Sequence, residues 1–218
     1  MEKAVVAIIV AGLLLCLCPG FSLAQGQEVI KLPPPEKEGG MPLMNALNLR
    51  KSTRGNFGPE KPLPMQTISN LLWAADGVNR PPNHRTAPSA VDWQNIDIYL
   101  TTAEGLYLYD PQNHALKVLG TKDVRAVAGT QDFVATAPLN LIYIADLDRA
   151  KFGGQVAPTA ETWSFAGVGA IVQNVYLFCA SENLACIVRA MADADAVARA
   201  LQLGPNEKFI LAQTVAWF

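Results

Sequence analysis

Residues 50–54 read Arg-Lys-Ser-Thr-Arg, directly after a short amphipathic stretch from Met44 to Leu49. Arginine presents five hydrogen-bond donors in a planar fork, and serine adds a compact hydroxyl that donates or accepts. Arg50, Ser52 and Arg54 therefore suit the binding of a phosphate and of the polar edge of a flat heteroaromatic ring. Basic pentapeptides are also common at solvated loop ends, so the surrounding sequence has to decide between the two interpretations.

Four further motifs follow this run in order. They are Trp73-Ala-Ala-Asp-Gly-Val-Asn-Arg80, Arg85-Thr-Ala-Pro-Ser-Ala90 with Gln94, Ala137-Pro138, and Gly169-Ala-Ile-Val-Gln-Asn174. Together with residues 50–54, this ordered set resembles the flavin-dependent nitroreductase family, and more closely its SagB-type dehydrogenase branch. The resemblance covers roughly residues 41–215, and no single motif within it is decisive.

Hydrophobic periodicity gives a coarse map of secondary structure. Helices are predicted at 42–50, 65–76, 159–181 and 194–203, with a short one near 122–129. Strands are predicted at 96–100, 106–110, 115–119, 139–145, 184–188 and 209–217. Helices and strands mix without strict strand–helix–strand alternation, which indicates the α+β class. The resemblance further implies a nitroreductase-like fold, with a central, mostly antiparallel sheet flanked by helices, in an intertwined homodimer.

The helix predicted at 159–181 is uncharged from Thr162 to Ser181, which is long enough to cross a membrane. Gln173 and Asn174 near its middle would be costly in lipid and tolerable beside a polar partner. We therefore interpret it as a core helix, which in the family it resembles lies at the centre of the dimer.

The resemblance implies an FMN site. Arg50, Ser52 and Arg54 match an Arg-x-Ser-x-Arg/Lys element, with Arg50 on the phosphate or ribityl side and the other two at the pyrimidine edge of the flavin. The segment containing Pro88, Ser89, Ala90, Asp92 and Gln94 matches a Pro-Ser-x-x-Asn-x-Gln element that would contact FMN from the partner subunit. Asp92 replaces the usual Asn, and an ionised carboxylate only accepts hydrogen bonds.

Further cofactor contacts are expected from loop amides and from the end of a strand. Asn79 and Gln131 could bond the carbonyls or N3–H of the flavin, although loop amides are commonly solvated. Val188 and Arg189 occupy the place of a backbone turn beside flavin N5, and a surface arginine at a strand end is the alternative for Arg189. No catalytic side chain and no metal are expected, because the flavin would carry the chemistry.

The N-terminus reads as a secretory signal peptide over residues 1–24. Lys3 precedes a short apolar run, and Ser22-Leu23-Ala24 provides small residues before Gln25; an uncleaved membrane anchor remains the alternative. We then expect a flexible leader at 25–40 and one domain at 41–218. In the mature chain Cys179 and Cys186 remain, as buried thiols or as a pair.

The sequence therefore predicts an exported, periplasmic or extracellular, FMN-dependent oxidoreductase. Hydride would pass through flavin N5 in ping-pong order between a small-molecule donor and acceptor. A formal net charge of −2 argues against a nucleic-acid partner, and no stable membrane association is expected after signal cleavage. The alternative is a non-enzymatic dimeric binding protein on the same fold, with a degenerate or empty flavin pocket.

Overall fold

The computed structural model describes residues 28–55 and 57–218, so the signal peptide predicted at 1–24 lies outside the described residues. Within them the chain forms four α-helices and eleven strands. The helices are α1 (Leu43–Leu49), α2 (Met65–Asp76), α3 (Ala160–Ser181) and α4 (Ala194–Leu201). The strands are β1 (Val29–Lys31), β2 (Val78–Arg80), β3 (His84–Arg85), β4 (Ile96–Thr102), β5 (Gly105–Asp110), β6 (Ala115–Gly120), β7 (Leu139–Asp146), β8 (Lys151–Phe152), β9 (Gln155–Val156), β10 (Leu184–Arg189) and β11 (Glu207–Trp217).

Seven of these strands form one sheet in the order β1-β6-β5-β4-β7-β11-β10. Every pairing within it is antiparallel. The central strand β7 is buried from Leu139 to Ala145, as expected for an apolar run that is covered on both faces. The α+β class and the antiparallel sheet predicted from the sequence are confirmed.

Alternate residues of β7 point to opposite faces and define two hydrophobic layers. Leu141 and Tyr143 pack in the cluster that includes α2 and α3. Ile142 and Ile144 pack in the second cluster, with Val197 of α4. The sheet therefore lies between two helical layers, and α3 is the longest element of the first.

Helix α3 is buried on one side only. By length and composition it could cross a membrane, a test that core helices of soluble proteins also pass. Val168 and Val175 are fully buried, and the Asn174 side-chain amide donates to the Ala75 carbonyl at 3.2 Å. On the outer side, Trp163 is 53% exposed and Phe165 is 48% exposed. The helix thus packs on the sheet and leaves an apolar face uncovered in the single chain.

Two regions differ from the sequence-based expectation. The flexible leader predicted at 25–40 contains β1, which pairs with β6 at the edge of the sheet, because the backbone of an edge strand is free to accept another strand. In place of the helix predicted near 122–129 the chain forms a short 3-10 turn, Arg125–Ala128, and a second turn follows at Asp132–Ala135. The apolar pattern there serves packing against β7 rather than a continuous helix.

Candidate active-site cleft

A cleft of about 470 Å³ opens beside the C-terminal end of β10. One wall is the end of the basic segment, residues 50–54. The others are the loop after the Arg125–Ala128 turn and the chain that leaves β10. The lining residues are Arg54, Gly55, Gln131, Phe133, Ile187, Val188, Arg189, Ala190 and Met191. Four predicted cofactor residues, Arg54, Gln131, Val188 and Arg189, are therefore brought together. Among the described residues that line the cleft there is no aspartate or glutamate.

The basic segment is held against β10 by a backbone hydrogen bond and by hydrogen bonds of the Tyr176 side chain. The Thr53 N–H donates to the Cys186 carbonyl at 2.9 Å. The Tyr176 hydroxyl accepts from the Val188 N–H at 2.9 Å and lies 2.8 Å from the Ser52 hydroxyl. Tyr176 thus joins α3, β10 and residue 52. Sequence reasoning missed it, because a single tyrosine in an apolar helix looks like an ordinary core residue.

The two cations at the start of this segment have different surroundings. The Arg50 guanidinium carbon lies 5.2 Å from the centre of the Tyr176 ring, and no salt bridge among the described residues includes Arg50. The Lys51 ammonium instead lies 4.8 Å from the centre of the Phe218 ring. Arg50 therefore lies on the side of the segment that faces Tyr176 of α3, and Lys51 lies on the side that faces Phe218.

Arg189 is buried, with 6% of its surface exposed, so the alternative of a surface arginine at a strand end is wrong. Its guanidinium donates to the Ala128 carbonyl, the Thr214 hydroxyl and the Asn140 side-chain oxygen at 3.0, 2.6 and 2.8 Å. Burial lowers the pKa of Arg189 to about 10, so the group is still a cation at neutral pH.

The cofactor residues predicted in the loop from Pro88 to Gln94 do not reach this cleft within one chain. Ser89 and Gln94 lie near α3 at Gly167 and Ile171, in a small separate depression that Pro88 also lines. Their side chains bond mainly to each other and to their neighbours. These bonds join Gln94 N–H to Ser89 Oγ at 3.0 Å, Arg85 Nε to Gln94 Oε1 at 3.1 Å, Gln94 Nε2 to Asp92 Oδ1 at 2.9 Å, and Gln94 Nε2 to the Asn83 carbonyl at 3.2 Å.

The backbone of this loop is unusual. Val91, Asp92 and Gln94 all have positive φ angles, of 41°, 58° and 49°. Non-glycine residues rarely adopt this region, and a β-branched valine there is a genuine outlier. Strained loops cluster at binding sites, so this observation supports a functional role for the exposed turn formed by Ala90, Val91 and Asp92.

Asn79 lies apart from both groups. It is on β2 and lines a wide groove of about 570 Å³ between the leader, α1, α2 and α3. Within one chain Asn79 and Gln131 line different depressions, because β2 lies beside the helical layer and Gln131 lies near the end of β10.

A buried carboxylate next to the loop predicts a pH dependence of stability. Burial raises the pKa of Asp76 from 3.8 to about 7, although the Arg85 charge opposes the shift from 3.4 Å. The folded state then holds one proton more than the unfolded state between those two values. The free energy of unfolding should therefore fall as pH rises from about 4 to 7, by up to about 1.4 kcal/mol per pH unit.

This dependence should be much weaker in Asp76→Asn, which cannot titrate. Urea denaturation of both proteins at several pH values between about 4 and 8 measures it. Equal slopes in the two proteins would show that Asp76 does not carry the effect.

The Tyr176 hydroxyl predicts a second stability effect. Tyr176→Phe leaves the Val188 N–H without its acceptor and Ser52 without its partner, so we expect the free energy of unfolding to fall by about 1–3 kcal/mol. Urea denaturation measures it, with Tyr107→Phe on β5 as the control. Equal losses in the two variants would contradict the role assigned to this hydroxyl.

Known proteins match both the sequence and the fold. The family model for the nitroreductase family matches residues 47–217. A proposed nitroreductase from Methanocaldococcus jannaschii is 29% identical over 170 residues, covering 72% of this chain and 81% of the relative. The crystal structure of a proposed nitroreductase from Ralstonia eutropha JMP134 superposes with a TM-score of 0.80 at 43% identity, covering 87% of this chain and 89% of that one.

A more distant neighbour shares the fold alone. A chain from the structure of the Escherichia coli microcin synthetase McbBCD complex, with truncated pro-MccB17 bound, has a TM-score of 0.65 at 19% identity. The antiparallel sheet between two helical layers is thus a nitroreductase-like fold. Since the family model covers more than half of the sequence, the chain belongs to the nitroreductase family and is an oxidoreductase of that family.

Proposed function

We propose that the protein is an exported, homodimeric, FMN-dependent oxidoreductase of the SagB type. The observation that carries this proposal is the cleft at the end of β10, whose described lining includes two arginines and no carboxylate. The motifs around Arg50 and Pro88 support the assignment to the SagB-type branch, and the predicted signal peptide supports export.

The donors and acceptors at the cleft fit a flavin mononucleotide. Arg54 and Arg189 provide positive charge, and Arg50 lies on the same basic segment without an acidic partner in the described part of the chain. The Gln131 side-chain oxygen is buried and has no hydrogen-bond partner among residues 28–55 and 57–218. A buried polar atom without a partner is costly, so a ligand that donates to Gln131 would remove that cost.

Each group has a distinct task in this proposal. Arg50 and Arg54 bind and neutralise the phosphate and ring edge, and Gln131 accepts a hydrogen bond from the ring. Phe133 and Met191 provide apolar surface in the lining of the cleft, against which the ring would pack. FMN, when bound, supplies the two-electron chemistry at N5, in ping-pong order between a small-molecule donor and acceptor.

A second copy of the chain would complete the site. The loop from Pro88 to Gln94 is away from the cleft of its own chain, and its strained turn is exposed. The outer face of α3 exposes Trp163 and Phe165, and α1 exposes Leu43 and Met44. Exposed apolar faces of this kind mark association sites, which supports a homodimer in which each loop meets the other chain's cleft.

Titration of FMN into the apo-protein tests the proposal, with Asp92→Asn as the informative variant. Asp92 is 54% exposed at its side chain, and an asparagine would keep an oxygen for Gln94 while losing the charge. We expect wild type to bind FMN and Asp92→Asn to bind it about two- to fivefold more tightly, the range for an exposed charge.

The controls separate the enzyme from the alternative of a binding protein without flavin. Asp110→Asn removes a charge from the end of β5, away from the cleft, and should leave FMN affinity unchanged. If neither wild type nor Asp92→Asn binds FMN, the flavoenzyme proposal fails and the binding-protein alternative replaces it.

A further inference from the structure

Each nitrogen of the buried Arg189 guanidinium donates a hydrogen bond. Its positive charge, however, is not paired with an acidic side chain of the described residues. Its three acceptors, Ala128, Thr214 and Asn140, are all neutral. No salt bridge among the described residues includes it. A buried charge without a counter-charge is expensive, and removing a neutral partner would make it more so.

The neutral partners form a built site rather than a chance contact. Asn140 on β7 and Thr214 on β11 are paired residues of adjacent strands, and both are fully buried. The Thr214 hydroxyl donates to the Asn140 side-chain oxygen, and the Asn140 amide donates to the Val134 carbonyl at 3.0 Å. The orientation of both groups is therefore fixed, and they fix the guanidinium in turn.

The loop on the other side of Arg189 is fitted closely to it. A Cβ atom at Gly129 would lie 2.4 Å from Arg189 Nε and 3.0 Å from the Gln131 side-chain oxygen, so only glycine lets the loop approach. The Phe133 ring centre lies 5.8 Å from the guanidinium carbon. The charge of Arg189 and the unpartnered oxygen of Gln131 therefore lie close together in the lining of the cleft, which also includes the second cation, Arg54.

We infer that Asn140 and Thr214 are positioning residues that hold an unneutralised Arg189 at the cleft wall, where an anionic group of the ligand completes the charge balance. The anion site itself does not depend on flavin. Its use for flavin rests on the proposed function, in which the negative charge comes either from the FMN phosphate or from the ring when it takes up electrons.

Inorganic phosphate added to the flavin-free protein tests the anion site. Phosphate should raise the melting temperature above that in chloride at equal ionic strength, and calorimetry should give a measurable affinity. Gln131→Glu places a carboxylate beside Arg189 and should weaken phosphate binding at least about tenfold without lowering the melting temperature. Gln112→Glu, in the β5–β6 turn, makes the same charge change away from the cleft and should leave phosphate affinity within about twofold.

No phosphate effect in wild type, or equal behaviour of the two glutamate variants, would overturn the inference.

The positioning role of Thr214 has its own test. Thr214→Val keeps the shape and removes the hydroxyl, so phosphate affinity should fall, and Thr214→Ser should restore it. A purely structural role for Thr214 would lower the melting temperature and leave phosphate affinity unchanged. If Thr214→Val does not fold, Arg189→Lys and Arg189→Gln test the charge itself. Phosphate should bind the lysine variant more tightly, because only lysine retains the charge, and equal affinities would overturn the anion site.

Flavin binding then identifies the source of the charge. If Arg189 serves the phosphate, Arg189→Gln should weaken FMN and leave riboflavin unaffected. If it serves the ring, the variant should lower the ratio of reduced to oxidised flavin affinity about tenfold, which is about 30 mV in midpoint potential for a two-electron couple. Phosphate binding without any flavin binding would refute the proposed function and leave the anion site standing.

Discussion

FMN is expected to bind Arg50→Ala at least about 25-fold more weakly than wild type, a loss of about 2–5 kcal/mol. The proposed phosphate ligand needs charge-assisted donors, and the Arg50 guanidinium presents several in one plane. Arg50 lies over the Tyr176 ring, whose hydroxyl joins Ser52 to Val188 at the cleft wall. Like Lys51, it takes part in no salt bridge of the described residues. Fluorescence titration of FMN into the apo-proteins measures the loss.

The neighbouring lysine is the matched control for this prediction. Lys51→Ala removes the same charge from the same segment, but the Lys51 ammonium lies over the Phe218 ring. We expect FMN affinity in Lys51→Ala to change by less than about fivefold, as for an exposed charge. Equal losses in both variants would mean that the segment acts only through its net charge, and would contradict the specific role of Arg50.

Gly169→Arg is expected to convert a dimer into a monomer. Gly169 is exposed on the outer face of α3, and a Cβ there would meet no atom within 4 Å. A single chain therefore has no packing reason for glycine at this position, where alanine would favour the helix by about 0.5–1 kcal/mol. If the face packs closely on a second copy, an arginine there should raise the dimer dissociation constant at least about 100-fold.

Sedimentation of wild type and variants at several concentrations decides this prediction. Gly169→Ala should weaken the dimer less than arginine does, and Gln112→Arg, in the β5–β6 turn, should leave it intact. The isolated Gly169→Arg chain should keep its helical circular dichroism, because the position has free space. A monomeric wild type, or an unchanged dimer in Gly169→Arg, would contradict the proposed interface.

The fold could be predicted well where sequence patterns are local. The uninterrupted apolar run at 139–145 predicted a central strand, and the periodicity at 65–76 gave α2 with its observed bounds. The two 3-10 turns after residue 124 were missed, because their apolar side chains are spaced by contacts with β7 and not by a regular helical period.

The candidate site could be predicted only in part, because its geometry depends on distant strands. The sequence places Arg189 at the end of a strand, but its burial comes from Asn140 and Thr214, which lie far from it in the chain. The role of Tyr176 has the same origin, since its hydroxyl meets Ser52 across 124 positions. Residue type identified the cations, and tertiary pairing decided which of them is buried.

The leader shows the same limit. Its prolines and charges predict flexibility, yet residues near it on α2 and β6 bind its backbone. Ser69 donates to the Pro33 carbonyl at 2.6 Å, and Gln66 donates to the Pro34 carbonyl at 3.0 Å. None of these partners can be identified from the composition of the leader itself.

The position of β1 sets an order of events during synthesis. Val29–Lys31 is the first part of the described chain to be made, yet its partner in the sheet is Lys117–Ala115. The strand has to wait until the β5–β6 hairpin exists, and such non-local pairing is slow. Until then the outer edge of β6 presents unpaired backbone groups, which are a template for aggregation. Although β1 is made before the other strands of the sheet, it is therefore expected to pair last. As long as the residues before β1 keep it away from β6, this edge of the sheet would stay open.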